Sequence, residues 1–161
     1  MNDTWEGEIG ALLAELAEVQ TGLLSTFADK RRHLAAGDQA ALLAMQSREQ
    51  ELANRLQACH ERRQQLLAQA NAEGVAADSI QSLSERLPAA SRDRVHASIR
   101  ESANRTKLLQ HQSLANWVLV QRSLLHLSQL IEIIATGGRP KPTYGKGSER
   151  GANGALVDRA A

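Results

Sequence analysis

Residues 112–134 read QSLANWVLVQRSLLHLSQLIEII, and the spacing of their apolar side chains predicts an α-helix. Six of these side chains recur at alternating intervals of three and four residues, which places them on one stripe of a helix. We call this stripe the seam, and it consists of Trp117, Val120, Leu124, Leu127, Ile131 and Ile134. Further apolar residues widen it, namely Leu114, Val118, Leu125, Leu130 and Ile133. A helix with this much apolar surface must be covered by another element.

The sequence also indicates where this helix ends. Two glycines and then two prolines follow it between positions 137 and 142, and these residues cannot continue a helix. The residues beyond are too polar to fold alone. We therefore expect a helical domain over residues 1–136 and a flexible, disordered tail over residues 137–161.

Two stretches upstream repeat the spacing of three and four. The first covers residues 5–34, and the second lies within a helix expected over residues 38–72. Between them, Gly37 is suited to end one helix and Asp38 to cap the next. A tight helical hairpin is the favoured interpretation, and one bent continuous helix also fits the pattern.

A third long helix is expected from about residue 91 to residue 135, and a short connector helix over residues 79–87 precedes it. Polar residues at 106, 110 and 113 stand where the seam would extend backwards, so the first half of this helix is expected to pack loosely or to be partly solvated. The predicted fold is all-α, an antiparallel bundle or coiled coil of three long helices with a short connector helix and a disordered C-terminal tail.

Charged residues interrupt the apolar stripe of the second helix. Glu49 and Arg63 occupy positions where the spacing predicts apolar side chains. They either fix the register of the helices or face a solvated end of the bundle, and the second situation is the commoner one. Glu51 and Arg55 have the i,i+4 spacing of a supporting ion pair, which is worth about 0.2–0.5 kcal/mol.

Charge and cysteine content narrow the function classes. The chain carries 19 basic and 18 acidic residues, a net charge of +1 without a basic stripe, so we expect no nucleic-acid partner. Cys59 is the only cysteine, which excludes an internal disulfide and fits a reducing cytoplasm. The first residues lack the pattern of a secretory signal, and charges at 107, 122 and 132 bracket the most apolar stretch. We therefore expect a cytoplasmic protein that does not insert into a membrane.

The residue types that often carry chemistry do not form a recognisable site. A di-metal bundle needs Glu-x-x-His pairs, and the nearest approach to one is Asp93 three residues before His96. Cys59 and His60 are adjacent and point to different faces of a helix, which makes a zinc site weak. We therefore expect no enzyme activity, no catalytic residue, no metal and no cofactor.

The C-terminal tail contains the only tyrosine of the chain, Tyr144. An isolated aromatic residue in a disordered segment can dock into a pocket of a partner protein. An inert tail is the alternative, and the residues alone leave both interpretations open.

The order of these features resembles the FlgN-like family of flagellar type III export chaperones. The residues that carry the resemblance are Asn116 among the apolar positions of the last helix, Gly137-Gly138, and the tail motif Thr143-Tyr144-Gly145-x-Gly147. The resemblance implies a chaperone whose last long helix binds the C-terminal helical segments of hook-filament junction (hook-associated) proteins and prevents their premature assembly. It also implies that Tyr144 docks to the cytoplasmic domain of the export gate, where the client is delivered.

Transferred to this chain, the resemblance makes the apolar residues of the last helix the candidates for client binding. They are Leu114, Trp117, Val118, Val120, Leu124, Leu127, Leu130, Ile131, Ile133 and Ile134. About half of the seam residues are expected to be ordinary bundle core instead. Leu130 and Ile133 lie off the seam and are therefore the better candidates for a surface that is free in the unbound chaperone.

The main alternative is a structural coiled-coil protein that self-assembles through the same seams. A free chaperone has to hide its apolar stripe, either by forming a weak homodimer or by folding its last helix back. Residues 147–161 extend beyond the family motif, and within them Leu156 and Val157 are candidates for a second, weak docking point.

Overall fold

The computed structural model describes residues 2–136 of the chain, with side chains described for residues 4–135. This part consists of helices joined by short turns and contains no strand. The helices are α1 (Asn2–Ala36), α2 (Gln39–Ala44), α3 (Gln46–Ala72), α4 (Ile80–Ser84) and α5 (Ala89–Thr136). The predicted all-α fold is therefore confirmed.

The first two long stretches form the predicted helical hairpin. Gly37 follows α1 with a φ of 69°, a left-handed conformation that glycine adopts without steric cost. The Asp38 carboxylate then accepts a hydrogen bond of 3.0 Å from the backbone N–H of Ala41 and so caps α2. Because α1 and α3 are separate helices on either side of this turn, the alternative of one bent continuous helix is wrong.

The predicted second helix is divided at Met45 into α2 and α3. Met45 keeps helical backbone angles, with φ −79° and ψ −18°. Its N–H donates a hydrogen bond of 3.1 Å to the carbonyl oxygen of Ala41, four residues before it. The division is thus an irregularity of one residue within a helix that otherwise follows the prediction.

Ion pairs across the hairpin show that α1 and α3 run antiparallel. Lys30 Nζ lies 2.8 Å from Glu49 Oε2, and an Arg55 guanidinium nitrogen lies 2.7 Å from Glu15 Oε1. Glu49 therefore connects two helices rather than facing a solvated end. The prediction of an ion pair between Glu51 and Arg55 is wrong, because Arg55 pairs with carboxylates of α1 instead.

Most of the buried apolar side chains form one cluster that joins α1, α3, α4 and the start of α5. Ile9 and Leu12 of α1 pack there with Leu66 of α3, as their spacing predicts. The short helix α4 adds Ile80 and Leu83 to the same cluster. The segment predicted as a connector is therefore also part of the core.

Local hydrogen bonds hold α4 in place before the chain enters α5. The Ser79 hydroxyl accepts a hydrogen bond of 3.0 Å from the N–H of Ser82, and the Ser82 hydroxyl accepts one of 3.0 Å from the N–H of Ser79. This reciprocal arrangement is a capping box. Hydrogen bonds from Ser82 and then Ser79 also hold the pKa of Asp78 below its usual range.

The first part of α5 lies parallel to α1, which completes an up-down-up arrangement. The Gln20 side chain is buried, and its Nε2 donates hydrogen bonds of 3.1 Å to the Ser102 carbonyl, the Ser102 hydroxyl and the Thr106 hydroxyl. Further along, Asn116 Nδ2 donates a hydrogen bond of 3.0 Å to the carbonyl oxygen of Phe27. The polar positions that interrupt the seam in the first half of α5 thus include partners of α1.

Two glycines of α1 provide a matched pair of stability variants. Glycine in a helix interior costs about 1 kcal/mol relative to alanine. A Cβ at Gly10 would meet no atom within 4 Å, so Gly10→Ala is expected to stabilise the chain by about 0.5–1 kcal/mol in urea unfolding. A Cβ at Gly22 would lie 2.9 Å from Leu52 Cδ2, so Gly22→Ala is expected to give no gain or a loss of about 1–2 kcal/mol. Equal effects of the two substitutions would contradict this account.

The chain divides into two units, residues 1–123 and residues 124–161. The first contains the helical hairpin, α4 and the first part of α5, and the described part of the second is the C-terminal part of α5. The expected boundary between a helical domain at 1–136 and a tail at 137–161 coincides with the limit of the described residues and stays a prediction.

Candidate functional site

The C-terminal part of α5 is apolar and uncovered. We call residues 124–135 the apolar end of α5, and every residue in it is exposed. Seven large apolar side chains there have exposed fractions between 42% and 80%. They are Leu124, Leu125, Leu127, Leu130, Ile131, Ile133 and Ile134. Soluble monomers rarely display an apolar surface of this continuity unless it is an interaction site.

The segment of α5 just before it also displays apolar side chains. Leu114, Trp117 and Val118 are exposed, whereas Val120 is half-buried. The buried neighbour here is Asn116, whose hydrogen bond to the Phe27 carbonyl attaches this segment to α1. A polar side chain therefore makes the attachment and leaves the apolar ones uncovered.

The exposure differs from the sequence expectation for the seam. About half of its residues were expected to be bundle core, yet the structure leaves all but Val120 exposed and buries none. The expectation of free surface at Leu130 and Ile133 agrees with their exposure of 42% and 54%. The helical spacing identifies an apolar stripe. It does not distinguish a stripe that packs against the same chain from one that packs against another molecule.

The apolar end of α5 carries almost no charge. Between residues 124 and 135 the only formally charged side chain is Glu132, and the seam is flanked by Gln121, Ser123, Ser128 and Leu130. In coiled coils, charges at flanking positions select the partner and its orientation. The positions that flank the seam in the apolar end therefore carry no such charges.

The same helix satisfies a simple test for a membrane span. By length and composition alone α5 is long and apolar enough to cross a membrane, and none of its most apolar window is buried. A single such helix is weak evidence, because a helix that docks onto another protein has the same composition. Arg122 and Glu132 lie within the apolar part of α5.

Cys59 and His96 were considered above as possible metal ligands, and the structure shows what surrounds each of them. Burial raises the pKa of the Cys59 thiol, which disfavours the reactive thiolate. His96 Nε2 lies 3.0 Å from the Ser84 hydroxyl and 3.4 Å from Glu85 Oε1. Within the described range, no group of three or more His, Cys, Asp or Glu residues is arranged to hold a metal ion.

The tail residues assigned a role by resemblance lie outside the described residues. These are Tyr144, the predicted contact with the export gate, and the pair Leu156 and Val157. Their roles stay predictions.

Comparison with known proteins identifies the family. A model of the FlgN protein family matches residues 1–150, a range that contains all five helices and the Thr143-Tyr144-Gly145-x-Gly147 motif. No curated protein and no solved structure gives a significant match. Since the family match spans nearly the whole chain and agrees with both the helical architecture and the exposed apolar helix, this chain belongs to the FlgN family of flagellar export chaperones.

Proposed function

We propose that this chain is a cytoplasmic chaperone that binds the C-terminal helical segments of hook-associated proteins, prevents their premature assembly and delivers them to the type III export gate. The observation that supports this proposal most directly is the uninterrupted exposure of the apolar end of α5. Members of the FlgN family serve flagellar export and bind hook-associated proteins in general, which supports the class of client.

The proposed mode of recognition is the packing of one amphipathic helix against another. A client helix lies along α5 and covers the apolar side chains that the chaperone leaves exposed. The candidate contacts are Leu114, Trp117, Val118, Val120, Leu124, Leu127, Leu130, Ile131, Ile133 and Ile134. No nucleotide, metal or other cofactor is required for this mechanism.

The energetics favour a reversible complex. Fully burying one large apolar side chain contributes about 1.5–3 kcal/mol, and those of the apolar end are already about half covered by their own helix. Covering all seven would contribute on the order of 5–10 kcal/mol. Association itself costs about 4–15 kcal/mol in lost freedom, a cost of the same order, so covering the apolar end does not by itself make the complex tight. A chaperone that must release its client at the export gate needs such a balance.

The proposal is tested by measuring mass in solution. The purified full chain is mixed with a synthetic peptide from the C-terminus of a hook-associated protein of the same organism, and light scattering is recorded. A discrete complex of chaperone and peptide is the expected result. A stable homo-oligomer that ignores the peptide would contradict the proposal and favour a self-assembling structural coiled coil.

The tail is assigned a separate role, docking to the cytoplasmic domain of the export gate through Tyr144. Tyr144→Ala is therefore expected to leave the affinity for the client peptide unchanged while reducing secretion of the hook-associated client. Tyr144→Phe keeps the aromatic ring and is the matched control, with secretion retained. Secretion is measured in cells and peptide affinity by calorimetry. Normal secretion by Tyr144→Ala would remove the docking role.

A further inference from the structure

A second apolar surface lies in the first unit of the chain, where several helices meet. It is a groove of about 710 Å³ lined by residues of α1, α3, α4 and the first part of α5. The apolar lining includes Leu12, Leu16, Leu56, Cys59, Ile80 and Ile99. Leu56 is 38% exposed, although its spacing places it in the apolar stripe of α3. The groove shares no residue with the client surface proposed above.

The shape of the groove fits a helix. Its α3 wall extends from Ala53 to Arg63, ten residues further along, which corresponds to about 15 Å of helix. The α3 wall could support nearly three turns of a second helix, whereas the α1 wall (residues 12–16) and the α5 wall (residues 99–102) each cover about one turn. Its walls are themselves helices, which is the geometry of helix-in-groove recognition.

The groove has one positively charged side chain in its lining and no negatively charged one. Among its lining residues Arg63 is the only one with a formal charge, and no Asp or Glu lines it. Arg55 and Arg62 on the same helix pair with carboxylates of α1. In the described part of the chain Arg63 makes no comparable hydrogen bond or ion pair, and its side chain is exposed. An apolar groove with one unpaired cation at its edge is complementary to an apolar helix that carries a carboxylate.

We propose that this groove binds an amphipathic peptide helix whose apolar face packs on Leu16, Leu56 and Ile99 and whose flanking carboxylate pairs with Arg63. This assigns a role to a charge that interrupts the apolar stripe of the second helix. It also gives the chain a binding site on its helical hairpin that is independent of the apolar end of α5.

The test uses a pair of synthetic peptides and the full chain. Each peptide has about 14 residues, near the length at which isolated helices become measurable, with leucines at helical spacing. One carries glutamate beside the apolar face, and the other carries lysine at the same place. Binding is measured by fluorescence anisotropy in the Leu130→Asp background, which suppresses binding to the apolar end of α5.

The expected result is a charge preference that depends on residue 63. The glutamate peptide should bind roughly threefold to tenfold more tightly than the lysine peptide, because one pair attracts and the other repels. Arg63→Glu should reverse that preference, and Leu56→Asp should weaken both peptides. Far-UV circular dichroism verifies that each variant keeps its helical content.

Equal binding of the two peptides, or a preference that Arg63→Glu leaves unchanged, would overturn the proposal. This readout is separate from the proposed chaperone function, because Arg63 is not part of α5. Loss of client binding in Leu130→Asp with no charge preference at the groove would reject the groove and retain the client surface. The opposite combination would retain the groove and reject the client surface.

Discussion

Replacing Leu130 with aspartate is expected to abolish binding of the client peptide while leaving the helical content of the chain unchanged. Leu130 is exposed in the free chain, so a carboxylate there remains in water and costs the fold little. Once a client helix covers the site, the same carboxylate is buried against apolar side chains without a partner, which costs several kcal/mol. A loss of about 3 kcal/mol or more corresponds to at least roughly a hundredfold weaker binding.

This prediction is measured by titration calorimetry with the client peptide and by far-UV circular dichroism. Gln65→Asp is the matched control, because it introduces the same charge at an exposed position of α3, outside the proposed client surface. It should retain most of the binding. Ile133→Asp should behave like Leu130→Asp, since Ile133 is also exposed. If the Leu130 variant unfolds instead, that residue is core and the assignment of this surface is wrong.

The second large effect is expected at α4. Leu83→Ala should destabilise the chain by about 2–4 kcal/mol, because Leu83 is 2% exposed and its removal leaves a cavity in the main core cluster. The free energy of unfolding is obtained from urea denaturation followed by circular dichroism. Leu43→Ala is the control, because Leu43 is 65% exposed and the same substitution there should change stability by less than about 0.5 kcal/mol. An equally small effect at Leu83 would mean that α4 only links α3 to α5.

Much of the fold is local and could therefore be predicted. Helix spacing identified Ile9, Leu12 and Leu66 as core, and the Gly37-Asp38 turn was recognisable because each residue acts through its own backbone preference. The role of α4 was not predictable in the same way. A helix of five residues is too short for its periodicity to identify a buried face.

Interactions between segments that lie far apart in the sequence could not be predicted from it. The Gln20 hydrogen bonds join residues more than 80 positions apart, so no local sequence pattern predicts them. Arg55 shows the same difficulty. Glu51, four residues earlier, is a plausible partner by spacing, but the structure pairs Arg55 with two carboxylates of α1. For the candidate site, the sequence indicated which side chains are apolar, whereas their exposure is seen only in the structure.

The buried amide of Gln20 has a consequence for the two parts of α5. If the first part of α5 turned about its own axis so that another face met α1, the N–H groups of the amide would lose these acceptors while remaining buried. This polar contact therefore defines which face of α5 meets α1. The apolar end has no such amide and no flanking charges, so the proposed contact with a client helix would lack a polar group that fixes its orientation. One helix would thus combine a defined polar face toward its own chain with a permissive apolar face toward the helices that we propose it binds.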